Sequence, residues 1–232
     1  MTLTNNPGRV AGLLYLLLAL LAPYRLMYIP NTMIVSGNAS ATASNIASHE
    51  FLFRLGIITD LICGVAIVFV TLALYRLLKD VNHNLAVLMV IVGGILPAAI
   101  DFFNPLNDAA ALMLIRGADF LSVFGQPQRE ALAMLFLRLH HHAILGAEIL
   151  WGLWLFPFGI LVYRSGFLPR FLGVWLIING IAYVVMSFTG FLLPQYETTV
   201  SNYLFPALLG EIAIILWLVI KGSRPQSLPA AA

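Results

Sequence analysis

Ionisable side chains inside apolar stretches are the residues of this sequence best placed to do chemistry. Arg25, Asp60 and Glu148 each lie in such a stretch. A rise of about 1.5 Å per helical residue, counted from the basic end of each stretch, puts Arg25 at about 24 Å and the two carboxylates at about 22 Å. Charges that are exposed to lipid cost several kcal/mol, so the three should face the protein interior. We therefore expect Arg25 to pair with Asp60, with Glu148 or with both.

An ion pair at this depth has two interpretations, which the sequence leaves open. One is structural: a buried pair holds the helices together, and its loss destabilises the protein whether or not the site has a function. The other is a water-filled pocket, open to the outside, that binds a cation or relays protons. Asn179 and Glu211 lie nearer the membrane midplane and complete the polar residues of this predicted pocket.

Histidines add a second possible chemistry to the same helices. His141 lies seven residues before Glu148, and His49 lies eleven residues before Asp60, so two helices each present a histidine above a carboxylate. Imidazole and carboxylate ligands suit zinc or another transition metal, or a proton path that titrates near neutral pH. His49, His140 and His141 are therefore candidate metal ligands. A histidine run at a helix end is also typical of the lipid headgroup region, and the sequence requires no cofactor.

Sequence motifs assign no reaction. The chain contains no HExxH, no CxxC pair, no phosphate-binding loop and no Gly-x-Ser-x-Gly element. Cys63 is the single cysteine, so no disulfide can form within the chain. Whether the protein is an enzyme stays open.

The elements that position these residues are membrane-spanning helices. The chain is 61% hydrophobic and 9% charged, against about 25% charged for a soluble domain, and its mean hydropathy is +0.94. The net charge of +2 is too small and too scattered to suggest a nucleic-acid partner. We predict an all-α fold, a polytopic helical bundle in the lipid bilayer, with residues 1–232 as a single transmembrane domain. Its six transmembrane helices are predicted at about 9–29, 51–78, 85–103, 132–162, 167–193 and 203–220.

Loop lengths predict how the six spans are connected. Residues 79–84 and 164–166 are tight turns, so spans 2-3 and spans 4-5 should be helical hairpins. An offset of 88 residues relates Asp60 to Glu148 and their neighbours, which suggests that the two hairpins are repeated copies. Residues 104–127 are predicted to form a long outward loop, with Asp108 facing outward and a short helix at 109–116 lying at the interface.

The distribution of basic residues predicts the orientation. They gather on the side of the short loops, and by the positive-inside rule both termini are cytoplasmic. The basic residues are Arg9, Arg76, Lys79, Arg164, Arg170, Lys221 and Arg224.

Several runs of residues resemble one known family. They are Gly8 to Tyr15, Phe53 to Gly56 with Asp60, Leu74 to Leu78, Ala118 to Phe124, Trp151 to Pro157, and Val162 to Arg170. The family is the bacterial integral-membrane family catalogued as domain of unknown function 4386, and the resemblance runs from Gly8 to Lys221. It implies a multi-pass protein of the bacterial inner (cell) membrane and supplies no activity. His140 falls where relatives carry a histidine, whereas His141, His142 and Glu148 depart from the usual pattern.

The function we predict is the binding or transport of a small solute, ion or proton through the polar pocket in the outer half of the membrane. A membrane-embedded metal-dependent hydrolase or lipid-modifying enzyme, built on the histidines, is the first alternative. A non-catalytic accessory subunit of a membrane complex is the second alternative. Its partner membrane protein would pack against small residues such as Gly93-Gly94 or the segment 152–159.

Overall fold

A computed structural model describes residues 6–223, which are mainly helical and include no strand. Six helical stretches are long and apolar enough to cross a membrane, which confirms the predicted all-α bundle of six transmembrane helices. The spans are Pro7–Met33, Glu50–Leu78, His83–Arg116, Gln126–Arg164, Arg170–Leu192 and Pro194–Ile220. The helices are α1 (Pro7–Pro23), α2 (Ile29–Met33), α3 (Ala39–Ser48), α4 (Glu50–Leu78), α5 (His83–Val90), α6 (Leu96–Phe103), α7 (Pro105–Arg116), α8 (Gln126–Arg164), α9 (Arg170–Leu192) and α10 (Glu197–Ile220).

The first and last described segments meet at one end of the bundle. Asn6 caps α1, because its side-chain oxygen accepts hydrogen bonds from the backbone N–H groups of Gly8 at 3.0 Å and Arg9 at 3.2 Å. The same oxygen accepts the N–H of Ser223 at 3.0 Å. The side chain of Asn6 therefore links the start of α1 to the segment that follows α10. Arg224, one of the basic residues used to predict orientation, lies outside the described residues.

Two π-helical turns interrupt the first and third spans, at Tyr24–Tyr28 and Ile91–Ile95. Each ends two residues before a proline, Pro30 or Pro97, whose ring nitrogen cannot donate a helical hydrogen bond. Such wider turns redirect side chains and often lie at functional sites. The first of them carries Arg25 into the interior of the bundle, where the side chain is buried.

The third span is longer than predicted, and the prediction that Asp108 lies in a loop was wrong. Asn104 keeps helical dihedral angles (φ −62°, ψ −37°), and its N–H donates to the carbonyl of Ile100 at 2.7 Å, so α6 leads directly into α7. The helix predicted at 109–116 is the second part of α7, which packs against α8 and buries Asp108 completely. Asn104, Asn107 and Asp108 made this segment look like a loop, but in the structure Asn104 bonds to the carbonyl of His140, Asn107 bonds to Asn104 and Asp108 pairs with Arg25.

Two apolar cores lie along the bundle. The larger contains Tyr15, Trp154 and other side chains of α1, α4, α5, α6, α8, α9 and α10. The smaller contains Phe53, Leu112 and other side chains of α2, α3, α4, α7 and α8. Polar side chains of the first four spans meet between these cores, which flank them with apolar packing.

Helices α8 and α9 approach each other more closely than any side chain larger than glycine allows. A Cβ atom added at Gly159 would lie 2.6 Å from the carbonyl oxygen of Gly173, and one added at Gly152 would lie 2.6 Å from that of Gly180. Gly93 is similarly covered, by the ring of Trp154. The chain's own side chains and helices therefore fill these small-residue faces, which the sequence had suggested as surfaces for a partner helix.

Large apolar side chains cover the outside of the bundle. Leu20 on α1 is 70% exposed, and Phe51 and Phe69 on α4 are 72% and 56% exposed. A continuous apolar surface of this kind is unfavourable in water and matches the hydrocarbon of a bilayer. The exposed surface thus agrees with the membrane-spanning assignment made from length and composition.

Candidate functional site

Four polar side chains from four spans form the buried charge cluster: Arg25, Asp60, Asp108 and His140. Arg25 donates from Nε and Nη2 to Oδ2 of Asp108, at 2.9 Å and 2.6 Å, and its Nε lies 3.6 Å from Oδ2 of Asp60. Arg25 is 3% exposed and Asp108 is 0% exposed. Charges so far from water are stable only when paired, because desolvation would otherwise dominate. The guanidinium therefore holds α4 and α7 to the π-helical turn of the first span.

His140 completes the cluster from α8. Its Nδ1 lies 3.4 Å from Oδ2 of Asp108 and its Nε2 lies 3.8 Å from Oδ2 of Asp60. Neither ring nitrogen has a hydrogen-bond partner among the described residues, although the side chain is buried. Asn104 steadies this turn of α8, since its side-chain amide donates to the carbonyl of His140 at 3.2 Å. The imidazole is thus held beside two carboxylates with unused hydrogen-bonding capacity.

The acidic groups of the cluster outnumber its permanent cation. Within residues 6–223, Arg25 is the one Lys or Arg that pairs with Asp60 or Asp108. Two carboxylates and one guanidinium leave room for one further positive charge. A proton on a carboxyl group or on His140 would supply it, and so would a bound cation. The cluster has the composition of a cation-binding or proton-binding site shielded by apolar cores.

The structure brings together some of the predicted site residues and separates others. Arg25 and Asp60 lie together, whereas Glu148 makes no ion pair with Arg25; its Oε2 atom is buried without a hydrogen-bond partner in the described chain. His141 is exposed and reaches Oε1 of Glu197 at 3.1 Å. His49 is also exposed, and its Nδ1 donates to the carbonyl of Asn45 at 3.0 Å. Of the three candidate histidines, His140 alone lies in the cluster.

Asn179 and Glu211 form a second polar group with Tyr15, which links α1, α9 and α10. The hydroxyl of Tyr15 donates to Oε1 of Glu211. The side-chain amide of Asn179 donates to Oε2 of Glu211 at 3.3 Å and to the carbonyl of Leu208 at 3.3 Å. These bonds hold the carboxylate of Glu211 in one position on the wall of a cavity.

That cavity, of about 280 Å³, is called the aromatic cavity here. It extends from Asp60 to Glu211 and is lined mainly by apolar side chains. Its aromatic residues are Tyr15, Trp151, Trp154 and Tyr183, and its acidic residues are Asp60, Asp101 and Glu211.

A second cavity, of about 640 Å³, lies on the other side of the cluster and is called the histidine cavity here. Arg25 and His140 line it together with the exposed side chains of Arg138, His141 and His142, so it reaches the surface at that end of the bundle. Leu26 and Ile144 border both cavities. The buried charge cluster therefore forms part of the wall between them.

The site predicted from the sequence did not include two acidic residues of this region. Asp108 was assigned to a loop, and Asp101 lay unnoticed inside the third predicted span. The two are seven residues apart, which places them on nearly the same face of a continuous helix. The signal was therefore present, but it depended on recognising that the helix continues through Asn104 and Pro105.

Comparison with known proteins gives a family but no activity. The profile of a family described as Domain of unknown function (DUF4386) matches residues 10–222, which confirms the resemblance seen in the sequence. An uncharacterized protein of Archaeoglobus fulgidus is 35% identical over 79 residues, which cover 33% of this chain and 44% of the relative. The chain thus spans less than half the length of that curated relative. No solved structure matches the chain.

Proposed function

The chain belongs to the family described as Domain of unknown function (DUF4386), and we propose that it binds a small solute or ion and moves it across the membrane through the buried charge cluster. One observation carries the proposal: the cluster separates two cavities, with Arg25 and His140 lining one and Asp60 lining the other. Polar groups buried at membrane depth commonly mark the path of a solute or proton. The ion pairs of Arg25 with two carboxylates close this path between the two cavities.

The arrangement of the cluster suggests how such a barrier opens. Asp108 holds Arg25 through two short contacts, whereas the Arg25–Asp60 distance of 3.6 Å is longer than a hydrogen bond. A cation that reaches Asp60 from the aromatic cavity competes with Arg25 for this carboxylate. Arg25 then remains paired with Asp108 while the cation passes toward His140, which has both ring nitrogens free to take part.

Replacing Asp60 with Asn tests this path directly. Proteoliposomes that contain the full chain are expected to carry protons or a small cation above the protein-free background, measured with ion-sensitive dyes. Asp60→Asn should lower that flux at least fivefold, because the amide cannot attract a cation. Glu50→Gln is the matched control, since Glu50 pairs with Arg54 and Arg116 outside both cavities. An unchanged flux in correctly folded Asp60→Asn protein would refute the proposal.

We further propose that the protein lies in the bacterial inner membrane with both termini in the cytoplasm. The support is the cluster of basic residues on the side of the short loops. In a Cys63→Ala background, an impermeant maleimide should label Ser40→Cys in intact spheroplasts, but label Lys79→Cys only after lysis. The reverse pattern would invert the orientation.

A metal-dependent enzyme is the second candidate, and one specific observation favours it. Asp60, Asp108 and His140 each offer one ligand atom, and these atoms lie within 4.8 Å of one another. Carboxylate and imidazole ligands suit zinc and similar metals. This set shares only His140 with the set of metal ligands predicted from the sequence.

If these three residues bind a metal, elemental analysis of purified protein should find about one zinc, iron or manganese per chain. Asp108→Asn should abolish the metal and His141→Gln should retain it; metal-free wild-type protein would exclude the candidate.

A further inference from the structure

The aromatic cavity presents ring surfaces that suit a positively charged guest. The rings of Tyr15 and Trp154 lie 5.9 Å apart and are tilted by 56°, while those of Trp151 and Tyr183 lie 5.9 Å apart and are tilted by 74°. The four rings belong to α1, α8 and α9, so they line the cavity from several directions. The negative face of an aromatic ring attracts a cation, and tryptophan does so most strongly.

The charges around this cavity have one sign. Asp60, Asp101 and Glu211 line it, and no Lys, Arg or His is among the described lining residues. Each carboxylate comes from a different span, so the acidic groups surround the space instead of occupying one edge of it. An anion would find no basic side chain in this lining, whereas a cation would find acidic groups and aromatic rings together.

The rest of the lining argues against a small, strongly hydrated ion as the main guest. Most other lining side chains are apolar, including Leu18, Ile67 and Ile215. Magnesium and calcium take about six or more oxygen ligands, or keep their water molecules, and these walls cannot provide such a shell. An alkylammonium ion carries its charge inside an apolar surface and loses little hydration here. At about 280 Å³, the space is slightly smaller than common pockets for drug-sized molecules, about 300–1,000 Å³.

We propose that the aromatic cavity is a binding site for a small organic monocation, such as a quaternary ammonium ion, held among its aromatic rings, including that of Trp151, and the carboxyl groups of Asp101 and Glu211. The inference rests on the proposed function, for which it names the class of solute. Asp60 connects the aromatic cavity to the buried charge cluster, because it lines the cavity and lies beside Arg25. A cation bound in the aromatic cavity weakens the Arg25–Asp60 contact. Binding in this cavity therefore helps to open the barrier that the buried charge cluster forms between the two cavities.

Calorimetry on the full chain in detergent tests the binding site with defined probes. Tetraethylammonium and choline are expected to bind, while 3,3-dimethylbutan-1-ol, the uncharged analogue of choline, should bind at least tenfold more weakly. Asp101→Asn and Trp151→Leu should each weaken tetraethylammonium binding at least fivefold. Trp217→Leu is the matched control, because Trp217 is also partly buried but does not line the cavity.

The outcomes separate this inference from the proposed function. If neither cation binds, or if the uncharged analogue binds equally well, the organic-cation site is wrong, even where an Asp60-dependent flux of protons or inorganic ions persists. If tetraethylammonium binds with the expected variant effects but crosses proteoliposomes no faster than in protein-free vesicles, the site stands and the transport proposal fails. Glu211→Gln provides a further carboxylate test should Asp101→Asn elute as aggregated protein, and unchanged affinity in every folded cavity variant would overturn the site.

Discussion

Replacing Arg25 with methionine is expected to lower the free energy of unfolding by about 3–5 kcal/mol, the usual cost of removing one partner of a buried ion pair. The variant leaves Asp108 fully buried without its two hydrogen bonds from Arg25, and leaves Asp60 without its neighbouring cation. Methionine retains an unbranched side chain that fills much of the same space. Unfolding in mixed detergent micelles, followed by circular dichroism, measures the change.

Two comparisons identify the cause of this loss. Arg54→Met removes an arginine that pairs with Glu50 at the surface, and it should change stability little, since exposed pairs are solvated and screened. Adding Asp108→Asn to Arg25→Met removes the uncompensated charge and should recover part of the lost stability. If Arg25→Met is as stable as the wild type, Arg25 does not hold the first three spans together.

Gly173→Ala is expected to destabilise the bundle by about 1–3 kcal/mol through overpacking. A Cβ atom at this position would lie 2.5 Å from the carbonyl oxygen of Gly159 and 2.7 Å from the backbone nitrogen of Tyr163. Both neighbours are backbone atoms, so α8 and α9 must separate to accommodate the methyl group. The separation would also affect Trp151 and Trp154 of the aromatic cavity, because α8 carries both. Thermal unfolding of both proteins in detergent measures this loss of stability.

Gly146→Ala is the matched control on α8. An added Cβ at Gly146 meets nothing within 4 Å, and alanine favours a helix by about 0.5–1 kcal/mol relative to glycine. We expect this variant to be at least as stable as the wild type. Equal effects of the two substitutions would mean that helix propensity, and not the close approach of α8 and α9, governs the response at Gly173.

The sequence predicted the charged site in part, and each error has a physical reason. The proximity of Arg25 and Asp60 was predictable, because opposite charges at equal depth in apolar spans avoid the cost of contact with lipid by pairing in the interior. The main partner, Asp108, was assigned to an external loop, since Asn104, Pro105 and Asn107 together look like a helix break. In the structure, the side chains of Asn104 and Asn107 are hydrogen-bonded, and the helical path continues.

The choice among the histidines was not predictable from spacing. His140 and His141 are neighbours, so they point about 100° apart on α8, and the sequence does not say which of the two directions faces the bundle. The structure buries His140 beside two carboxylates and leaves His141 near Glu197. The repeat between the two hairpins stays a prediction, as does the role of Glu148.

By itself, the sequence determined that this chain forms six membrane-spanning helices and that its buried charges need partners. Both follow from local quantities, namely the length of each apolar stretch and the cost of placing a charge in hydrocarbon. Only the tertiary structure decided that Arg25 pairs mainly with Asp108 and that the buried charge cluster lies between two cavities. Those outcomes depend on how each helix is rotated and how deep it sits, which packing between distant segments sets, and which no single stretch of sequence encodes.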